Sequence, residues 1–355
     1  MELMQMILNS KKVKYVVLEK LVKYLPQDTD ELNIFINADS IFRSFYNPTV
    51  KEQLNAISSN DKYLLSSEFI NIIAHYRHFF YSRYSMPTNF FVYYSDQEAK
   101  YPKELSSAYK VDYYTKRDMN SYEFGNLNRA INKNMHLSSI LSEYLPNIYI
   151  INTKTLEPSV LPYSIISKNG ELKGLTNLII TNSKIDFQLV NLPSTYVLDL
   201  RGDDSVIISK DNLMERLLTK SRAKNSTSLD SAFYTSILAV SGIKELNIDG
   251  IPGCGPIKTI NKIEKAISTK LMTNDEISAK FNITAGSVFK EHETLIKRNY
   301  NMINLENLYK NISPKEKYNI IESLKNKSDN MSLIEINQKY YEDYPLMLIE
   351  LMEGE

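Results

Sequence analysis

Residues 237–267 read ILAVSGIKELNIDGIPGCGPIKTINKIEKAI: an apolar helical stretch, a turn carrying three glycines and two prolines, then a second helical stretch rich in Lys. Gly250, Gly253 and Gly255 allow positive φ and close backbone approach, and Pro256 can open the second helix where no N–H is needed. Free amides then point outward at a helix N-terminus, with Lys258 and Thr259 near enough to add a charge and a hydroxyl. Such an arrangement suits a phosphate and reads no base sequence. The competing reading is a tight turn between helices whose glycines serve packing alone. The ordered G-x-P-G-x-G-P string favours the phosphate.

Upstream of this element the pattern changes from helix to alternating strand and helix. Short apolar runs at 33–38, 89–94, 147–152, 178–181 and 195–199 have the length and composition of strands. Helix-length segments separate them, which predicts an α/β fold: a mostly parallel central sheet flanked by helices on both faces. Residues 3–25 carry apolar residues at helical spacing, and 66–85 open on a capping signal and run helical. Between the second and third strands, 99–133 is rich in Tyr, Lys, Asn and Asp and reads as a mobile polar connection. From residue 210 strand signals vanish and helices dominate. The predicted organisation is an N-terminal helical extension (1–30), an α/β domain (31–230), a helical hairpin subdomain (231–300) and C-terminal helices (301–355).

Composition narrows the chemistry. The chain has 355 residues, with Lys+Arg and Asp+Glu both 42, so a nucleic-acid contact must come from a local basic patch. Cys254 is the single cysteine, which excludes an intrachain disulfide and any Cys-based zinc or iron–sulfur site. No apolar run is long enough to span a bilayer, and the start MELMQMILNSKKVKY lacks the order of a signal peptide. A soluble, cytoplasmic protein without membrane contact is expected. The excess of Asn, Ile, Lys and Tyr is what AT-rich coding gives, a hint of a phage or low-GC bacterial source.

The 237–267 segment closely resembles the helix-three-turn-helix element of the 5′→3′ exonuclease and flap endonuclease family, whose usual string reads like GDSSDNIPGVPGIGPKTA. Gly242, Asn247, Ile248, Gly250, Ile251, Pro252, Gly253, Gly255 and Pro256 match without a gap. INADSIFRSF (36–45) resembles the family's VDGNSLLYRAF with one residue fewer, and FFVYYSD (90–96) resembles VVVFDA. LEPSVLP (156–162) takes the place of YEADDVL, and LIITNSKIDFQLV (178–190) is similar to VLIVTGDKDLLQLV. Arg43, Lys184, Gln188 and Leu189 match as well. Order and spacing hold over roughly residues 33 to 300, and the fold implied is the PIN-like 5′-nuclease domain.

The resemblance implies phosphodiester cleavage by two Mg²⁺ ions held about 4 Å apart by carboxylates at strand ends. Those carboxylates are mostly missing here. Asn37 and Ser95 stand at the strand-one and strand-two Asp positions, Glu157-Pro158-Ser159-Val160 replaces Glu-Ala-Asp-Asp, and Asn182-Ser183-Lys184-Ile185 replaces Gly-Asp-Lys-Asp. Ile243 and Leu246 replace the two aspartates before the hairpin, so only Glu157 survives in place. Neutral groups hold Mg²⁺ poorly. Acids do lie near the vacated positions, at Asp39, Asp96, Asp186, Glu245 and Asp249, but on a strand one residue of shift turns a side chain to the other face. They are read as solvated loop or capping carboxylates.

The remaining candidates carry less. His75, His78, His136 and His292 lack the neighbours of a metal site. The stretch from Tyr109 to Arg117, with Lys110, Lys116 and Arg117 beside tyrosines, suits a single-strand path, and in the family this connection forms an arch or clamp. Arg216, Lys220, Arg222 and Lys224 read as a backbone-contact patch or a solvated helix end. The Met/Leu-rich stripe at 344–352 reads as core or a partner groove. The expectation is therefore a catalytically silent, nuclease-derived, phage-encoded protein, expected to hold no cofactor. It would bind the backbone of duplex, flap or single-stranded DNA through Gly250, Gly253, Gly255, Lys258 and Thr259, or serve a structural role, as in a virion. Two alternatives stand beside it: an Mg²⁺-dependent nuclease using Asp39, Glu157 and Asp186, and a pure protein-interaction component. The resemblance also implies a monovalent ion at the hairpin carbonyls.

Overall fold

Every side chain of Leu32–Asn37 (β1) is buried, so this strand needs a partner at each edge and a layer on each face. The computed structural model describes residues 23, 25, 31–38, 80, 81, 85–95, 100–109, 147–153, 155–168, 175–199, 206–218, 227–268 and 289–325. β1 pairs in parallel with Thr88–Tyr94 (β2) on one side and with Thr176–Thr181 (β4) on the other. Ile148–Asn152 (β3) extends the sheet beyond β2, and Thr195–Asp199 (β5) extends it beyond β4. A sixth strand, Val206–Ile208 (β6), closes that edge antiparallel, giving the order β3-β2-β1-β4-β5-β6. The mostly parallel α/β sheet matches the sequence expectation, and the five predicted strands lie within two residues of their observed ends.

The topology places the site. From β1 the chain builds outward through β2 and β3, then returns to the other side of β1 for β4 and β5. At such a reversal the loops diverge and leave a crevice at the carboxyl ends of the strands, here beyond Asn37 and Thr181. Period-two alternation assigns Phe35, Phe91, Ile179 and Val197 to one face by register, and all four belong to the main core. Phe35, Phe91 and Tyr149 stack in turn, with ring centroids 4.7 and 5.0 Å apart. Towards the strands' amino ends, half-buried Asn89 donates to Asn33 Oδ1 (3.0 Å) and Asn33 to Asn177 Oδ1 (3.1 Å), so these amides satisfy one another.

Helices Lys100–Leu105 (α1), Val160–Lys168 (α2) and Leu213–Leu218 (α3) follow β2, β3 and β6. The decisive stretch begins as Tyr234–Ser241 (α4) and ends as Pro256–Ser268 (α5). Between them runs a two-residue ribbon, Gly242–Ile243 (β7) against Ile248–Asp249 (β8), joined through a 3₁₀ turn at Lys244–Leu246. The sequence reading expected no strand after residue 210, so the ribbon is a correction. Gly242 ends α4 at φ 74°, and a Cβ there would lie 2.3 Å from the Gly250 nitrogen; only glycine fits. Glu293–Ile303 (α6), Leu305–Lys310 (α7) and Pro314–Lys325 (α8) complete the described chain. One hydrophobic cluster runs continuously from Phe35 through Ile237 and Ile260 to Ile320.

Several expectations fall outside the described residues: most of 1–30, most of 66–85 and of 99–133, and 326–355. Asp39, Arg43, His75, His78, Asp96, Lys110, Lys116, Arg117, His136, Lys220, Arg222 and Lys224 are among them.

Candidate functional site

At the carboxyl ends of β1, β2 and β4 the side chains converge on Asp186, the first residue of a 3₁₀ turn (Asp186–Asn191) after β4. Its Oδ2 accepts hydrogen bonds from Thr181 Oγ1 (2.5 Å), Asn37 Nδ2 (3.1 Å) and Tyr93 Oη (3.4 Å). Thr181 Oγ1 in turn accepts from the Ser183 amide at 2.9 Å, which fixes the loop. Asp186 Oδ1 and the Ser159 hydroxyl are buried and make no hydrogen bond of ordinary geometry. Burial pushes the Asp186 carboxyl above the usual carboxylate range, and the charge of Glu157 adds to this. The neighbouring Ser159, Thr181 and Asn37 groups pull the other way. Tyr93 is raised well above an ordinary phenol, first by burial and then by Asp186.

Glu157, the acid retained in place, is also buried. The hydroxyl of fully buried Tyr109 donates to its Oε2 at 2.7 Å. Glu157 also lines a cleft of about 380 Å³ walled by α1, the loop before α2, and the turn between α7 and α8. Asp186 does not line that cleft, but it lies near enough to feel the charge of Glu157, and both carboxylates accept from protein donors. Among the described residues, no group of three or more His, Cys, Asp or Glu side chains stands where it could hold a metal ion. A pair of Mg²⁺ ions needs several unencumbered anionic oxygens. Asn37, Ser159, Ser183 and Ile185 do not supply them, and the described donor set does not fit two ions.

At the hairpin, Gly253 has φ 71°, and a Cβ built on it would lie 3.7 Å from Lys258 Nζ, so this lysine folds over the turn. Gly250 is needed for close approach: a Cβ there would lie 2.2 Å from the carbonyl of Ser241. Among the described residues, the amides of Gly253, Gly255, Ile257 and Lys258 donate to no protein acceptor. They sit at the N-terminus of the thirteen-residue α5, where the helix dipole favours an anion. Two sequence arguments need correcting. Gly255 lacks a positive φ, and a Cβ there would meet nothing within 4 Å. Thr259 is buried and its hydroxyl donates to the Gly255 carbonyl at 3.0 Å, which turns it away from any phosphate. The carbonyls of Ala239 and Asp249 accept from Asn299 Nδ2 (2.9 and 2.7 Å), and that of Val240 accepts from the Ile251 amide.

The displaced acids separate. Asp186 is not the solvated carboxylate expected but fully buried, in the 3₁₀ turn that follows β4. Glu245 pairs with Lys184 at 2.6 Å, and Asp249 is exposed. Ile243 and Leu246 are buried in the hairpin's core, and Ser95 is half-buried. Tyr109, expected on a strand path, is buried against Glu157. Arg216, expected in a surface patch, is held by buried Asp199 through Nε (3.0 Å) and Nη2 (2.8 Å). Sequence reasoning missed Tyr93, Thr181 and Asn299. Of these Tyr93 was findable, since its register partner Asn37 shares its face.

Neither protein-family models nor curated proteins give a match to this chain. Solved structures do. The T5 D15 protein co-crystallised with metal ions superposes with a TM-score of 0.53 at 13% identity, covering 91% of this chain and 99% of that one. A bacteriophage T5 flap endonuclease pseudo-enzyme–product complex with DNA and metal ions gives 0.53 at 14% identity, covering 91% and 100%. T5 5′-exonuclease with bound zinc gives 0.51 at 13%, covering 92% and 100%. At such identities the likeness establishes the fold: the chain has the architecture of the T5 5′-nuclease over nearly its whole length.

Proposed function

We propose that this protein uses a 5′-nuclease fold to bind nucleic-acid backbone without cutting it. The observation that carries the reading is the strand-end pocket. Its two carboxylates accept from Tyr109, Asn37, Thr181 and Tyr93, and neutral or apolar side chains stand at the other ligand positions. Replacing anions by amides and hydroxyls also removes repulsion that phosphates would otherwise meet there when no ions are present. The hairpin supports the binding half of the proposal, since amides without protein acceptors and the Lys258 ammonium lie together at the N-terminus of α5. A phage origin and a role in the host cytoplasm or the virion belong to the same proposal.

The test uses a labelled 5′-flap duplex. Anisotropy should report salt-dependent binding that is equal in EDTA and in Mg²⁺ and is weakened by Lys258→Ala with Gly253→Ala. Gel assays with Mg²⁺ or Mn²⁺ should show no cleavage. Because Glu157 lies near enough to Asp186 for its charge to act on it, a second reading stands: an Mg²⁺-dependent nuclease completed by Asp39. Metal-dependent cleavage lost in Glu157→Ala and Asp186→Ala would establish it. Binding that ignores salt and both hairpin substitutions would instead favour a protein-interaction role.

A further inference from the structure

Among the described ion pairs, Lys297–Glu293 and Lys310–Glu306 are i,i+4 contacts within single helices, and Arg216–Asp199 is locked by a carboxylate with no exposure. Lys184–Glu245 differs. It crosses from the loop after β4, two residues before Asp186, to the 3₁₀ turn of the hairpin, with Nζ–Oε1 at 2.6 Å. Both side chains reach solvent, at 30% and 53% exposure, so the pair is exchangeable. The backbone beneath Lys184 is meanwhile fixed, because the Tyr234 hydroxyl donates to its carbonyl at 3.0 Å. Lys184 is therefore an ammonium on an anchored stem, between the strand-end pocket and the hairpin, and its charge is cancelled by a neighbour that holds it only weakly.

We infer that Lys184 is a latent phosphate contact and that Glu245 masks it, so that this acid sets how strongly the protein grips a phosphodiester backbone. The inference rests on the backbone-binding reading above. With Glu245 in place, an arriving phosphate must displace a carboxylate and then lie beside it. That position contributes little to the counterions released on binding. With Glu245 neutralised, Lys184 counts as one further phosphate contact.

The measurement is a salt series of duplex-binding anisotropy on the wild type, Glu245→Gln, Lys184→Ala and the double variant, each shown to keep the wild-type melting temperature. One added contact steepens the slope of log K against log salt by about 0.9, which widens the affinity gain of Glu245→Gln by about 3.5-fold between 200 and 50 mM salt. That gain should disappear when Lys184→Ala is also present. A gain that persists without Lys184 would mean a general charge effect and overturn the inference, as would an unchanged slope in Glu245→Gln while Lys258→Ala still weakens binding. A wild type whose binding has no salt dependence would overturn the backbone-binding reading itself.

Discussion

Replacing Asp186 by Asn separates a self-satisfied pocket from one that waits for ions. In the wild type one carboxylate oxygen takes three donors, while the other oxygen and the nearby Ser159 hydroxyl, both buried, meet without a hydrogen bond of ordinary geometry. Asparagine can keep its carbonyl on Asn37, Tyr93 and Thr181 and turn its amide towards the Ser159 oxygen, adding one hydrogen bond of ordinary geometry. A net hydrogen bond is worth about 1 kcal/mol, which for a chain of this size raises the melting temperature by about 2 °C. The sign with pH follows from linkage. The folded Asp186 carboxyl is raised by burial above its unfolded value, so its contribution is fully present below the unfolded carboxyl range and is lost as pH rises through the folded value. The advantage of Asp186→Asn should therefore grow from pH 4 to pH 8, as read by calorimetric melting across that range. A variant that melts lower than the wild type at pH 8, or a difference that shrinks with pH, would refute the reasoning.

Further outcomes test the packing around the site. Tyr109→Phe removes the donor from buried Glu157 and should cost roughly 1.5–3 kcal/mol in urea unfolding, since the acceptor is an acid. Arg216→Ala takes two charge-assisted hydrogen bonds from buried Asp199 and should cost roughly 1.5–3 kcal/mol by the same assay. Gly250→Ala drives a methyl into the Ser241 carbonyl and should cost roughly 3 kcal/mol or more, whereas Gly255→Ala meets open space and should gain about 0.4–1 kcal/mol. Equal melting temperatures for the two alanine variants would contradict the turn geometry.

The sheet was legible because β1 to β5 are apolar runs with strand length and polar borders. β6 was not, since three residues, Val206–Ile208, carry too little pattern to stand out. The hairpin was legible from its glycines and prolines, but their roles were not. Positive φ at Gly242 and Gly253 and close approach at Gly250 depend on which backbone atoms meet, and sequence does not state that. Asp186 was misjudged for a related reason. Its position relative to β4 suggested a solvated loop, whereas it lies fully buried in the short 3₁₀ turn. Tyr109 shows the same limit, because a tyrosine among lysines looks like surface until tertiary contacts enclose it.

The account turns on whether the strand-end pocket takes up divalent ions, and calorimetric titration of Mn²⁺ into the full-length protein measures that directly. No saturable binding up to millimolar Mn²⁺ is the outcome the account requires. Saturable uptake of Mn²⁺ that is lost in Glu157→Gln or Asp186→Asn would contradict it.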